Sequence, residues 1–355
     1  MVVQMTYLPL PLLFLLLFPI SSALSPLDGF NSIRDLNSEM ETHFARENSL
    51  SLEEFQSRLP SQQELTAIRK LISLIFIQKN QRICNPFTVE DSFPILNGTI
   101  TLSSFQTVYC VIHEPIPKEP NQLFPRTFGF VIIRILSSEV VDIHHSSPHF
   151  ESDGGVNEQA ATLFEMTKSR SLVNNGISRF AVRGNPDSTC QPGNTLADAA
   201  HNINLAFHAM LQGIYDSTKS VSGNHYIQWH GMSQTSCAQS TAFISLGANG
   251  KNEIYQSSNV ADKLARAITQ CSNGKVVGNT PRDDSQCNLV AGTNVFGRQV
   301  HGVEEKEVCA IGAKNFDQRF IHIEQKVESR TEFESWREAL NRVFRPIVVH
   351  EELKI

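Results

Sequence analysis

No glycine-rich phosphate loop and no dinucleotide fingerprint occur in the 355 residues. The usual backbone cradles for a nucleotide's phosphates are therefore missing. No C-x-x-C pair occurs among the seven cysteines, which argues against a zinc ribbon. The nucleophile elbow G-x-S-x-G is absent as well: Gly231-Met232-Ser233-Gln234-Thr235 lacks the second glycine. Long blocks of one charge are also missing. A formal net charge of −6 distributed in this way gives no electrostatic footprint for nucleic acid or an anionic membrane, and neither partner is expected.

Long apolar runs are missing everywhere but at the start. Leu8 to Ile20 is apolar and is followed by small residues, with Ser21 and Ala23 placed for cleavage after Ala23. Residues 1–23 read as a signal peptide, although the stretch before the apolar run has no Lys or Arg. The run is shorter than the roughly 20 residues of a membrane-spanning helix. The C-terminal "VVHEELKI" shows neither a lipid-anchor tail nor a retention signal, so a soluble, secreted protein is expected. Spread single cysteines suit that oxidising compartment, and proximity suggests Cys84 with Cys110 and Cys271 with Cys287. Cys237 reads as a disulfide partner rather than a nucleophile. Asn97-Gly98-Thr99 is a glycosylation sequon.

With 41% hydrophobic and 19% charged residues, the composition is that of a globular chain. Residues 24–83 read as a helical N-terminal extension: Ser51 with Glu54 and Ser61 with Glu64 form capping boxes, and Leu65, Ile68, Ile72, Ile75 and Phe76 keep helical spacing. Residues 84–350 read as an α/β hydrolase-like domain. Strands are expected in "TITLSSF" and "TVYCVIHEP", then a hairpin "TFGFVIIRILSSEVVDI" turning at "LSS", with the second strand ending near Ile143. Helices "NEQAATLFEMTK", "LADAAHNINLAFHAMLQGIYDS" and "SNVADKLARAITQ" then alternate with strands "HYIQWHG", "AFISLG" and "RFIHIEQ". That order predicts an α/β fold, a mixed, largely parallel sheet flanked by helices.

In such sheets ligands gather beyond the carboxyl ends of the strands. The segment "HHSSPHFESD" follows one such end, His230 closes a second, and Glu324 closes a third, with His322 on its side of the strand. A hydrolytic zinc site needs three His or carboxylate ligands, an open position, and a nearby carboxylate to move the proton. His149 and His230, with either Asp153 or Glu158, would be the ligands of one Zn2+, and Glu324 the general base and acid. Asp153 also reads as a helix cap. His145 is placed no nearer than the substrate. In the "LADAAHN" helix, His201 and His208 fall together outside the buried stripe of Ala200, Ile203, Phe207, Met210 and Ile214, and His201 would border the cleft. Arg183 could hold a substrate carboxylate by a bidentate contact.

The run "SPHFESDGGVNEQAATLF", then "QWHGM", then "FIHIEQ", resembles zinc-dependent amidohydrolases and exopeptidases of the phosphorylase/hydrolase-like fold, such as zinc carboxypeptidases, N-acetylmuramoyl-L-alanine amidases and poly-gamma-glutamate hydrolases. It also resembles largely uncharacterised secreted proteins with an "ADAAHN"-type helix. The resemblance spans about residues 125 to 345. It implies that His149 and His230 match the family's histidines and Glu324 its late catalytic glutamate. The His-x-x-Glu of carboxypeptidases is absent, since Ser152 stands where the glutamate would be. A secreted zinc hydrolase of an amide or peptide-type bond, acting on a small-molecule or peptide substrate, is the expectation. A non-catalytic binding protein on a degenerate scaffold, or a metal-dependent phosphoester hydrolase, remains open at this level.

Overall fold

The computed structural model describes residues 25–78, 81–135, 139–344 and 347–348. The expected signal peptide and the "LSS" turn lie outside the described residues. The N-terminal segment forms α1 (Ile33–Thr42), α2 (Leu52–Arg58) and α3 (Gln62–Ile77), followed by α4 (Pro86–Ser92). Both capping boxes are present, with Ser51 and Ser61 hydroxyls accepting from the Glu54 and Glu64 backbones and each glutamate accepting in return from its serine's N–H.

The rest alternates strand and helix: β1 (Thr101–Phe105), β2 (Tyr109–His113), β3 (Phe130–Arg134), β4 (Glu139–Ser147), α5 (Val156–Met166), β5 (Ser169–Asn174), α6 (Ala206–Thr218), β6 (His225–Gly231), β7 (Ala242–Ser245), α7 (Val260–Cys271), β8 (Gly278–Asn279), α8 (Val295–Val300), β9 (Phe320–Gln325), α9 (Val327–Arg330), α10 (Phe333–Val343) and β10 (Ile347–Val348). The fold is α/β. The strands run in the order β1-β2-β3-β5-β4-β6-β9-β7-β8, with β10 paired to the start of β4. β5, β4, β6 and β9 are parallel, whereas β1, β2 and β3 reach β5 through antiparallel pairs and β7 lies antiparallel to β9.

Alternate residues of each central strand face opposite layers, so most positions on both faces of these strands are buried. Val111, Ile132, Leu172, Ile227 and Ile323 pack with α1, α5, α7 and α10. Ile112, Val131, Val173, Tyr226 and Phe320 pack with α3, α6 and α8. From β4 the chain crosses over α5 to β5 on one side, then over α6 to β6 on the other. That reversal opens a crevice at the carboxyl ends of β4 and β6.

Five local expectations are corrected. β3 and β4 are not a hairpin, because β5 lies between them and pairs with both. β4 continues past Ile143 to Ser147. The helix expected from Leu196 starts only at Ala206, since Asp198 accepts from the Ala200 N–H, Asn202 accepts from the Asn204 N–H, and the Asn202 amide donates to the Leu196 carbonyl. Such side-chain bonds to the backbone compete with the helical ladder. His208 is on α6 but is 2% exposed, so it is a core residue. The cysteines pair as Cys84–Cys110, Cys190–Cys309 and Cys237–Cys287, which leaves Cys271 unpaired rather than bonded to Cys287.

Candidate metal centre and catalytic cleft

Gln228, His230, His322 and Glu324 are two apart on their strands and therefore share a face. Register places Gln228 beside His322 and His230 beside Glu324. His149 and Asp153 come from the loop that follows β4. This loop is held against β6 by one close approach: the Gly231 N–H donates to Asp153 Oδ2 at 3.0 Å, and a Cβ at Gly231 would sit 2.3 Å from the Asp153 carbonyl oxygen. Arg330 ties the same strand ends together, donating to the carbonyls of Asp153, Gly154, Gln325 and Met232.

Three atoms converge there. His149 Nδ1 and His230 Nδ1 are 3.0 Å apart, and Asp153 Oδ2 is 3.2 Å from the first and 3.3 Å from the second. Ligands bonded to a tetrahedral zinc ion at about 2.0–2.2 Å lie roughly 3.3–3.6 Å from one another, so the triangle has nearly the size of one face of that tetrahedron. The opposite ring nitrogens are already engaged. His149 Nε2 donates to Asp198 Oδ1 at 2.9 Å, and His230 Nε2 donates to Gln228 Oε1 at 3.0 Å. A carboxylate can only accept, so Nε2 of His149 carries a hydrogen, and in the neutral ring that a metal requires Nδ1 keeps a lone pair turned toward Asp153 and His230. All of these side chains are buried. The donor set fits a metal ion. A second group, His230, His322 and Glu324, also has ligand atoms within 4.8 Å of one another. His230 has only one nitrogen free of Gln228, so the two groups share a single lone pair.

The electrostatics favour a cation. Burial works against charge on His149, and so does Arg179, but Asp198 and Asp153 outweigh them and raise its pKa. Burial would raise the Asp153 carboxyl, yet His149, His230 and Arg179 hold it well below the usual range. Burial pushes His230 down to about 4 and His322 further in the same direction, so both rings are neutral. Glu324 is pushed up to about 8, first by burial and then by the Asp153 charge. Its Oε1 lies 3.5 Å from His322 Nε2.

A cavity of about 400 Å³ opens onto these groups, bordered by Arg179, His201 and the loop 288–294. Its size suits a small-molecule or peptide-sized ligand. His201 reaches it with Nδ1 2.7 Å from Gln191 Oε1.

Three sequence candidates are not brought to the site. Glu158 sits on the outer side of α5 and pairs with Arg34 of α1. His145 is fully buried between layers, with Nδ1 accepting from Trp229 Nε1 at 2.9 Å and Nε2 bonded to Ser169 Oγ at 2.9 Å, so neither nitrogen is free. Arg183 is exposed and pairs with Glu54 of α2. Asp153 does not cap α5, whose N-cap is Gly155. Of the two alternative carboxylate ligands, Asp153 and not Glu158 faces His149 and His230. Arg179, Gln228, Asn294 and Arg330 escape a reading of sequence. The signal for Arg179 was the strand-end position itself, five residues past β5. Asn294, whose amide donates to Gln228 Oε1, has no such signal.

No family model matches the chain, and no curated protein does either. Among solved structures it is similar to a gene product of Agrobacterium tumefaciens, at 9% identity and a TM-score of 0.31, over 57% of this chain and 87% of that one. It is similar also to N-formylglutamate amidohydrolase from Ralstonia eutropha, at 10% identity and a TM-score of 0.31, over 58% of this chain and 92% of that one.

Proposed function

We propose that this chain is a secreted zinc-dependent hydrolase of an amide or peptide-type bond. His149, Asp153 and His230 hold one ion and Glu324 serves as general base and acid. The observation that carries the reading is the set of three donor atoms 3.0–3.3 Å apart, two of them histidine nitrogens whose opposite nitrogens are bonded to Asp198 and Gln228. Zinc supplies Lewis acidity there, drawing charge from a carbonyl oxygen and making water acidic near neutrality.

The chain's own groups do the rest. Beside a bound cation, which offsets the burial and the Asp153 charge that raise it, Glu324 is ionised; its carboxylate then takes a proton from the attacking water in the cavity and returns it to the amine nitrogen as the C–N bond breaks. His322, 3.5 Å from Glu324 Oε1, orients the carboxylate. Asp198 and Gln228 hold the two ligand rings in place. The cavity wall, with His201, receives the substrate. Secretion is supported by the apolar amino terminus and by three disulfides. Among the described residues no helix is long and apolar enough to cross a membrane.

The test is Glu324→Gln assayed on a panel of amides, peptides and esters. It should retain the metal of the wild type and lose hydrolysis by about 10²–10⁴-fold. Undiminished hydrolysis would remove Glu324 from the chemistry. A wild type that binds metal but cleaves nothing on the panel would favour a binding protein.

A further inference from the structure

Arg179 stands against the same donors. Its Nη2 lies 2.6 Å from His149 Nδ1 and donates also to Asp153 Oδ1, while Nη1 is 3.9 Å from Asp198 Oδ2. A lone pair on an imidazole nitrogen serves one partner at a time. We infer that the guanidinium of Arg179 and the metal ion compete for His149 Nδ1, so that loading the site swings Arg179 off its two partners. The inference rests on the metal reading above.

The structure allows that motion without moving the backbone. Arg179 is pinned at its carbonyl, which accepts from Thr195 Oγ1 at 2.5 Å. Its side chain is a quarter exposed and borders the cavity of about 400 Å³, so the head group has space to turn into. Its other polar side-chain contact, from Nε to Ser152 Oγ at 3.0 Å, is at the surface. Two roles follow for the residue. With Arg179 on Asp153, the two buried carboxylates Asp153 and Asp198 have an internal counter-charge, and their loop has a reason to keep its shape. With the ion on His149 Nδ1 and Asp153 Oδ2, that counter-charge is redundant, and two cations at hydrogen-bond distance repel. Metal affinity is then set by the difference between two occupants of one site.

The experiment is a zinc titration of the chelator-stripped full chain against a chromophoric competitor, for wild type, Arg179→Gln, Arg179→Lys and Arg183→Gln, with a melting curve of each stripped protein. Arg179→Gln should bind zinc about tenfold or more tightly than wild type. Arg179→Lys should also bind more tightly, because an ammonium keeps the charge but its chain ends about one bond short of Nη2, the nitrogen that touches both His149 and Asp153. Arg183→Gln, away from the site, should match wild type. The gain in melting temperature on adding zinc should be larger for Arg179→Gln than for wild type, because its stripped form has lost the counter-charge. Arg179→Gln no tighter than wild type would overturn the inference. So would Arg179→Lys equal to wild type beside a tighter Arg179→Gln, which would show a through-space charge effect without shared occupancy. If neither wild type nor any variant binds zinc, the metal reading falls with it; if wild type binds and no variant binds more tightly, only this inference falls. Should the glutamine variant fail to fold, the lysine variant decides.

Discussion

His149 Nε2 donates to Asp198 Oδ1 across 2.9 Å inside the protein, with both side chains about 95% buried. Forty-nine residues separate the partners in sequence. The bond fixes which nitrogen of His149 is free, and so decides what the loop after β4 can bind. Asp198→Asn keeps an oxygen for the Ala200 N–H but removes the charge that holds the ring. Zinc affinity is expected to fall by about 10- to 100-fold, as for other outer carboxylates of metal-binding histidines. A zinc titration with unchanged affinity would show that the ring is oriented by something else.

The two carboxylates near His149 are separated by a direct comparison. Asp153→Asn should weaken zinc binding by about a hundredfold or more, because it removes an anionic donor at the centre of the site. Glu158→Gln, which loses only a partly exposed pair with Arg34, should bind zinc as wild type does, with a stability change within about 1 kcal/mol. Equal losses in both variants would mean that the loop responds to charge in general.

His208 predicts a pH effect. It is buried, neither ring nitrogen has a hydrogen-bond partner, and burial lowers its pKa from 6.5 to about 4. Because the folded value is depressed, its contribution to stability is fully present above pH 6.5 and is lost as pH falls toward 4, where the unfolded chain alone takes up the proton. His113 and His144, also lowered to about 4 by burial, act in the same direction. Glu41 and Glu114, raised to about 6 and about 7 by burial, act in the opposite one. His208→Leu should therefore flatten the dependence of unfolding free energy on pH by about 1 kcal/mol per pH unit between pH 4.5 and 6. Denaturant melts at several pH values measure it; a slope equal to that of wild type would contradict the assignment.

The Cys190–Cys309 bond joins residues 119 apart, and Gln191 beside it bonds both His201 and the Thr293 carbonyl of the cavity wall. Cys190→Ser should cost about 2–5 kcal/mol and should raise KM more than it lowers kcat, since the wall and not the metal site loosens. Cys271→Ser, which breaks no disulfide and keeps a hydroxyl for Glu338, should leave stability and kinetics as they were.

Particular residues show how far sequence carries. The two capping boxes, the apolar strand runs and the strand-end positions of His149, His230 and Glu324 were legible because each is local or follows from the alternation of a strand. The late start of the "LADAAHN" helix was not, because the choice between helix and turn there is made by the side chains of Asp198 and Asn202. The β3–β4 hairpin failed since β5, thirty residues later, takes the place between them. Cys271 was matched to Cys287 by nearness in sequence, whereas folding brings Cys237 to Cys287. Arg179 left no mark in the sequence beside Arg183, because a loop's curvature decides which arginine faces the cleft.

The central claim is that His149, Asp153 and His230 form one metal site. The direct measurement is the zinc stoichiometry of purified full-length chain after stripping, reloading and dialysis, by elemental analysis, for wild type and for His149→Ala/His230→Ala. The account predicts about one zinc per chain in wild type and none above background in the double variant, with both folded by circular dichroism. Zinc-free wild type, or a double variant that retains the full complement, would contradict it.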